Sequence, residues 1–103
     1  MALDFIIKDN KDYPKGYLPI GAELHWYIIN EAKKNVLLMF SRIADYYADS
    51  FYDISELDTL IDEIDRLMNL VTDKKEAEDF LIELRKMVES AKKQNKGIFV
   101  RAD

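Results

Sequence analysis

Two short segments with a period of two lie near opposite ends of the chain, LDFIIK at residues 3–8 and IFVRA at residues 98–102, and the long periodic stretches between them repeat as helices do. Few folds accommodate this arrangement. Leu3, Phe5 and Ile7 alternate with Asp4, Ile6 and Lys8, the pattern of a strand with one buried face, which we place at residues 2–8. Ile98 and Val100 alternate in the same way with Phe99 and Arg101. A lone strand is unstable in water, and the only strong partner for each of these is the other. The chain ends are therefore expected to meet in a small sheet covered by the intervening helices, an α+β fold. With 103 residues there is room for one core, so residues 1–103 read as a single globular domain.

Between the ends, DNKDYPKG collects turn formers and YLPI reads as a short second strand, where Pro19 has no N–H to donate and belongs at an edge. Leu24, Ile28 and Ala32, with Trp26 and Ile29 alongside, mark a first helix from Ala22 to about Lys34. Asn35 breaks it, and Val36, Phe40, Ile43, Ala44 and Tyr47 define the apolar stripe of a second. Ile54, Leu57, Ile61, Ile64, Met68 and Val71 form the seam of a third helix, widened by Leu60 and Leu67, with Ser55 as its N-cap and Asp58 three residues on. Thr72 or Asp73 caps a fourth, which buries Ala77, Phe80, Leu81, Leu84, Val88 and Ala91 and stops at Gly97.

Composition removes several function classes. There is no cysteine, hence no disulfide, thiolate metal site or cysteine nucleophile. The lone histidine, His25, lacks the partner ligands of a zinc site. No G-x-S-x-G elbow presents a serine and no glycine-rich loop cradles a phosphate, so we expect neither an enzyme nor a cofactor. The opening MALDFIIKDN lacks a basic segment followed by a signal-length apolar stretch, and the longest apolar run, Val36 to Phe40, is far short of the roughly 20 residues that cross a bilayer. The expectation is a cytoplasmic protein with no membrane contact. A net charge of -5 disfavours nucleic acid, whose binding depends on clustered Lys and Arg, and favours a basic partner.

The negative charge is concentrated. Ile43 to Asp65 contains eight acids and neither Lys nor Arg. Within it, the run FSRIADYYADSFYDI at 40–54 holds five of the twelve aromatic residues. Asp45, Asp49 and Asp53 are spaced by four, but Ser50 to Asp53 reads as a connection between helices, and the glycine and final glutamate of a calcium loop are missing, so no metal is expected there. Arg42 precedes Asp45 by three residues, the spacing of an ordinary surface ion pair. Adjacent helical residues point about 100° apart, so only one of Tyr46 and Tyr47 can be fully inside. Tyr47 continues the Phe40, Ile43 stripe, which leaves Tyr46 beside the aspartates as an anchor for a protein partner. The candidate partner surface is Tyr46 with Asp45, Asp49, Tyr52 and Asp53. The competing expectation is a self-associating or regulatory domain without catalytic activity, packing through Leu60, Leu67 and Leu70 of the third helix. The expected state is a monomer or a weak homodimer; a monomer at micromolar concentration counts against obligate self-association, and a stable dimer favours it.

The stretches LPIGAELHW, IADYYAD leading into ISELDTLIDEI, and GIFVRAD resemble small uncharacterised bacterial proteins, some of which are treated as immunity proteins of toxin systems. The likeness spans most of the chain. It implies an intracellular binder that blocks a toxin; taken with the acidic charge of the chain, the expected partner is a basic toxin domain. A looser similarity is to the colicin nuclease immunity proteins, helical and acidic, which set paired tyrosines among acids against a basic nuclease. This chain differs from them in its terminal strands, and only the Tyr46-Tyr47 pair carries over by analogy.

Overall fold

The strands near the two chain ends pair as expected. In the computed structural model, which describes residues 3–8 and 16–102, Leu3–Ile7 (β1) and Ile98–Ala102 (β4) run antiparallel, Leu3 opposite Ala102 and Ile7 opposite Ile98. Tyr17–Ile20 (β2) lies along the other side of β1 and Ser50–Tyr52 (β3) along the other side of β4, giving the order β2-β1-β4-β3. Pro19 is thus in an outermost strand, where a missing donor costs least. Ala2 and residues 9–15 of the expected turn lie outside the described residues. The helices are Ala22–Lys34 (α1), Leu38–Ser41 (α2), Leu57–Leu70 (α3) and Lys75–Lys93 (α4), with a 3-10 turn at Ile54–Glu56. Four helices on a four-stranded antiparallel sheet make the fold α+β. Among the described residues no helix is long and apolar enough to cross a membrane.

Opposed residues of an antiparallel pair share a face. The register therefore sets Phe5 beside Leu18 and Val100, and Ile98 between Ile7 and Tyr52. This face joins Ile28, Phe40, Leu60, Ile64, Leu81 and Leu84 in one buried cluster, in which Phe80 of α4 meets Phe5 edge-on at 5.7 Å. Each fully buried Leu or Phe contributes roughly 1.5–3 kcal/mol. On the other face Ile6 stands between Tyr17 and Phe99, and Asp4 between Pro19 and Arg101. The expected alternation in β1 does not appear in its burial: all five residues are buried, Asp4 at 4% and Ile6 at 9% exposure. An interior strand has neighbours on both sides, and their side chains shield its second face.

The segment expected as a second long helix departs most. Val36 is not in its stripe but is 71% exposed with φ 56°, because it ends α1 instead. The Val36 N–H bonds Lys33 O and the Leu37 N–H bonds Ala32 O, the two bonds of a Schellman motif. A β-branched residue is poorly suited to that left-handed position. Val36→Gly should therefore raise stability by about 1 kcal/mol, read as a higher urea midpoint at unchanged slope. The same pair of bonds ends α4, from Asn95 N to Lys92 O and from Lys96 N to Ala91 O, with Asn95 at φ 55°. Asn95, not Gly97, is the stop.

Two other helix expectations shift. Asp53 caps the 3-10 turn by accepting from Ser55 N, and Glu56 completes the box by accepting from Asp53 N, so the cap lies two residues before Ser55. Neither Thr72 nor Asp73 caps α4, which starts after Lys74 with no side-chain cap. The buried side of α3 is centred on Leu60, Ile64 and Leu67, while Ile54 is 44% exposed. Leu60 and Leu67 are therefore core residues, unavailable for the self-association expected of this helix. Leu70 alone of that set is exposed.

Candidate functional site

Helix α2 has only four residues and no side-chain cap of its own at Leu37. The cap comes from α3. Glu63, 6% exposed, accepts from Met39 N at 3.0 Å and Phe40 N at 3.1 Å, so a buried carboxylate satisfies two N–H groups of the helix start. Tyr52, wholly buried, donates its hydroxyl to Met39 O. Burial pushes the Tyr52 phenol well above its ordinary value, against a smaller opposing pull from Arg42, and keeps it a donor. Tyr52 is thus a core residue and its expected place in the partner surface is corrected.

Past α2, i→i−3 bonds from Ile43 N to Phe40 O and Ala44 N to Ser41 O tighten and end the turn. His25, 5% exposed, donates from Nε2 to Ile43 O at 2.6 Å, which fixes its tautomer and ties α1 to the loop. Asp45 then accepts from Tyr47 N at 2.9 Å, a local bond that competes with helix continuation. The two tyrosines exchange the expected places. Tyr46 is half-buried, packed on the His25 ring at 5.0 Å and donating its hydroxyl to Ile20 O, whereas Tyr47 is 71% exposed with its ring edge-on to Tyr46 at 5.5 Å. The helical stripe that would have buried Tyr47 stops at Ser41. Asp49 closes the loop by accepting from Ala102 N at 2.8 Å. The 43–49 loop is therefore pinned to α1, β2 and β4.

Ion pairing divides the acidic segment. Arg42 forms a two-pronged pair with Glu56, donates to Phe51 O and lies over the Tyr52 ring at 5.1 Å, instead of pairing with Asp45. Asp58 pairs with Lys92 and Asp65 with Arg85. Asp45, Asp49, Asp53 and Asp62 have no cation within ion-pair reach among the described residues. The first three do not stack on a helix; they accept from Tyr47, Ala102 and Ser55 respectively, and the Ser55 bonds lower the Asp53 carboxyl. No group of three or more His, Asp or Glu among the described residues is arranged to hold a metal ion.

The Arg42 guanidinium, with the Asp53 N–H, holds the Glu56 carboxyl down at about 2. A carboxyl depressed from an ordinary value near 4.3 contributes stability above that value and loses it as pH falls towards 2. With both side chains about a third exposed, the contribution is no more than about 1 kcal/mol. Glu56→Gln should lower stability at pH 7 and flatten the decline between pH 5 and pH 2; an unchanged acid limb in urea titrations would refute this.

Trp26, placed alongside the first helical stripe, is 70% exposed. The signal was available in the spacing: His25, Ile28, Ile29 and Ala32 are the buried side of α1, and Trp26 falls off it with Glu23 and Lys33. It lines a groove of about 530 Å3 with Ala22, Glu23, Tyr27 and Lys74. Comparison with family models, curated proteins and solved structures finds no match for this chain.

Proposed function

We propose that the chain is a protein-binding module that captures a basic partner through the 45–49 loop and, in the class that its sequence resemblance suggests, acts as a bacterial immunity protein against a toxin domain in the cytoplasm. The observation that carries the reading is Tyr47: an aromatic ring 71% exposed on a loop held by side-chain hydrogen bonds, between two carboxylates with no cation in ion-pair reach among the described residues. Exposed aromatic surface that is already ordered costs little further entropy on binding, and uncompensated acid speeds the encounter with a basic surface. Tyr46 supports Tyr47 from below, and Asp45 and Asp49 serve both the loop and its charge.

The test separates those two services. Asn keeps an acceptor oxygen for the Tyr47 and Ala102 N–H groups while removing the charge. Tyr47→Ala combined with Asp45→Asn and Asp49→Asn should leave the melting temperature within a few degrees of the parent and weaken partner capture at least thirtyfold, about 2 kcal/mol. The assay is affinity capture from the source cells followed by titration of the retained protein. Undiminished affinity for that protein would refute this placement of the surface.

A further inference from the structure

The groove beside α1 contains a recognition pattern with one member missing. Lys74 Nζ lies 5.0 Å from the centre of the Tyr27 ring, and the Tyr27 hydroxyl donates to Asp73 at 3.4 Å, so an aromatic ring has a cation on its face and a carboxylate at its side. The same groove holds Trp26, 70% exposed, and Glu23, three residues before it and so its neighbour on the helix surface. Neither has a cation among the described residues. Indole is the strongest aromatic acceptor of a cation. Among the described residues the carboxylate and the ring are present, and no positive charge pairs with either.

We propose that this groove docks an arginine side chain of a protein partner, its guanidinium stacked on Trp26 and hydrogen-bonded to Glu23. Guanidinium suits the pair better than ammonium, being planar enough to stack while its edge donates two parallel bonds to one carboxylate. Lys74 sets a further condition. A second cation on the partner segment would be repelled by it, whereas an acid close to the arginine would be drawn to it. The groove therefore favours an arginine with an acid nearby over a polybasic run. The inference rests on the reading of the chain as a binder of a basic protein and names a second contact, on α1, outside the 45–49 loop.

Trp26 is the only tryptophan, so fluorescence excited selectively at indole, beyond the absorption of the six tyrosines, reports on this groove alone. The probe is the blocked peptide acetyl-Gly-Arg-Ala-Glu-Gly-amide, with the same peptide carrying neutral citrulline for arginine as the comparison. A stacked, ion-paired side chain in an open groove should give a saturable fluorescence change with a Kd of about 1 mM. Citrulline in the peptide, or Glu23→Gln in the protein, should weaken it at least tenfold, and Lys74→Glu should move the preference to an Arg-Ala-Lys peptide. An equal response to citrulline, or no saturation up to about 10 mM, overturns the proposal. Affinity for the captured partner separates the two readings. Loss in the Tyr47, Asp45, Asp49 variant but not in Trp26→Ala removes the groove and keeps the binder; no loss in either removes both.

Discussion

Glu63→Ala should lower the unfolding free energy by about 3 kcal/mol, far more than a surface acid-to-alanine change. The carboxylate is 6% exposed and its two oxygens take the N–H groups of Met39 and Phe40. Removing it leaves two donors without acceptors, each costing about 1–3 kcal/mol if buried, less whatever water entering the space recovers. The four-residue α2 has too few internal bonds to persist unsupported. Glu63→Gln should cost about 2 kcal/mol, because its one carbonyl oxygen can serve one donor while its NH2 group turns towards the other. Urea unfolding gives both values. Faster amide exchange at Met39 and Phe40 in the Gln variant would show that the loss begins at the helix start. A cost below about 1 kcal/mol for Glu63→Ala would mean that the carboxylate's own desolvation offsets its bonds. Partner capture should fall as well, since α2 leads directly into the loop that carries Tyr47.

Glu63 also shows how far the sequence could be read. The residues Leu60, Glu63, Ile64 and Leu67 have helical spacing, so a carboxylate inside an apolar stripe was visible, but nothing local tells which donors it meets 23 and 24 residues away. Helix α1 and the body of α4 were legible because their periodicity runs over 13 and 19 residues. The strands of the chain ends were legible because each alternates over five residues and each was the other's strongest partner. Strand β3 was not: three residues within an acidic run carry too short an alternation, and its pairing with β4 is set by residues nearly fifty positions on. The same limit misplaced the tyrosines. The stripe from Val36 to Tyr47 fits a helix, yet Asp45 bonding Tyr47 N and His25 holding Ile43 O favour a loop, and the two rings trade burial as a result. The acidic and aromatic character of the candidate surface could be read directly; which tyrosine faces solvent depended on where the helix stopped.

Gly97→Ala should cost about 3 kcal/mol, at the upper end of what one added methyl group does in a packed interior. The usual argument for a glycine after a helix does not apply, because no glycine among the described residues has positive φ. The constraint is space. A Cβ on Gly97 would lie 2.5 Å from Phe51 Cζ and 2.5 Å from the backbone oxygen of Tyr52. The Phe51 ring could turn aside, at the expense of its contact with Lys8, whose Nζ lies 5.3 Å from the ring centre. The Tyr52 oxygen cannot, since Tyr52 pairs with Ile98 and its ring is fixed in the core. Relief requires β3 to move off β4, at the point where Gly97 O also receives the Lys8 N–H. Gly21 provides the contrast, with nothing within 4 Å of the point a Cβ would occupy and the extended backbone of an uncapped helix start. Gly21→Ser should therefore gain a few tenths of a kcal/mol by capping α1. Thermal and urea unfolding of the two variants should move in opposite directions; a Gly97→Ala protein within about 0.5 kcal/mol of the parent would show that β3 yields easily and is not the firm edge on which the 43–49 loop ends.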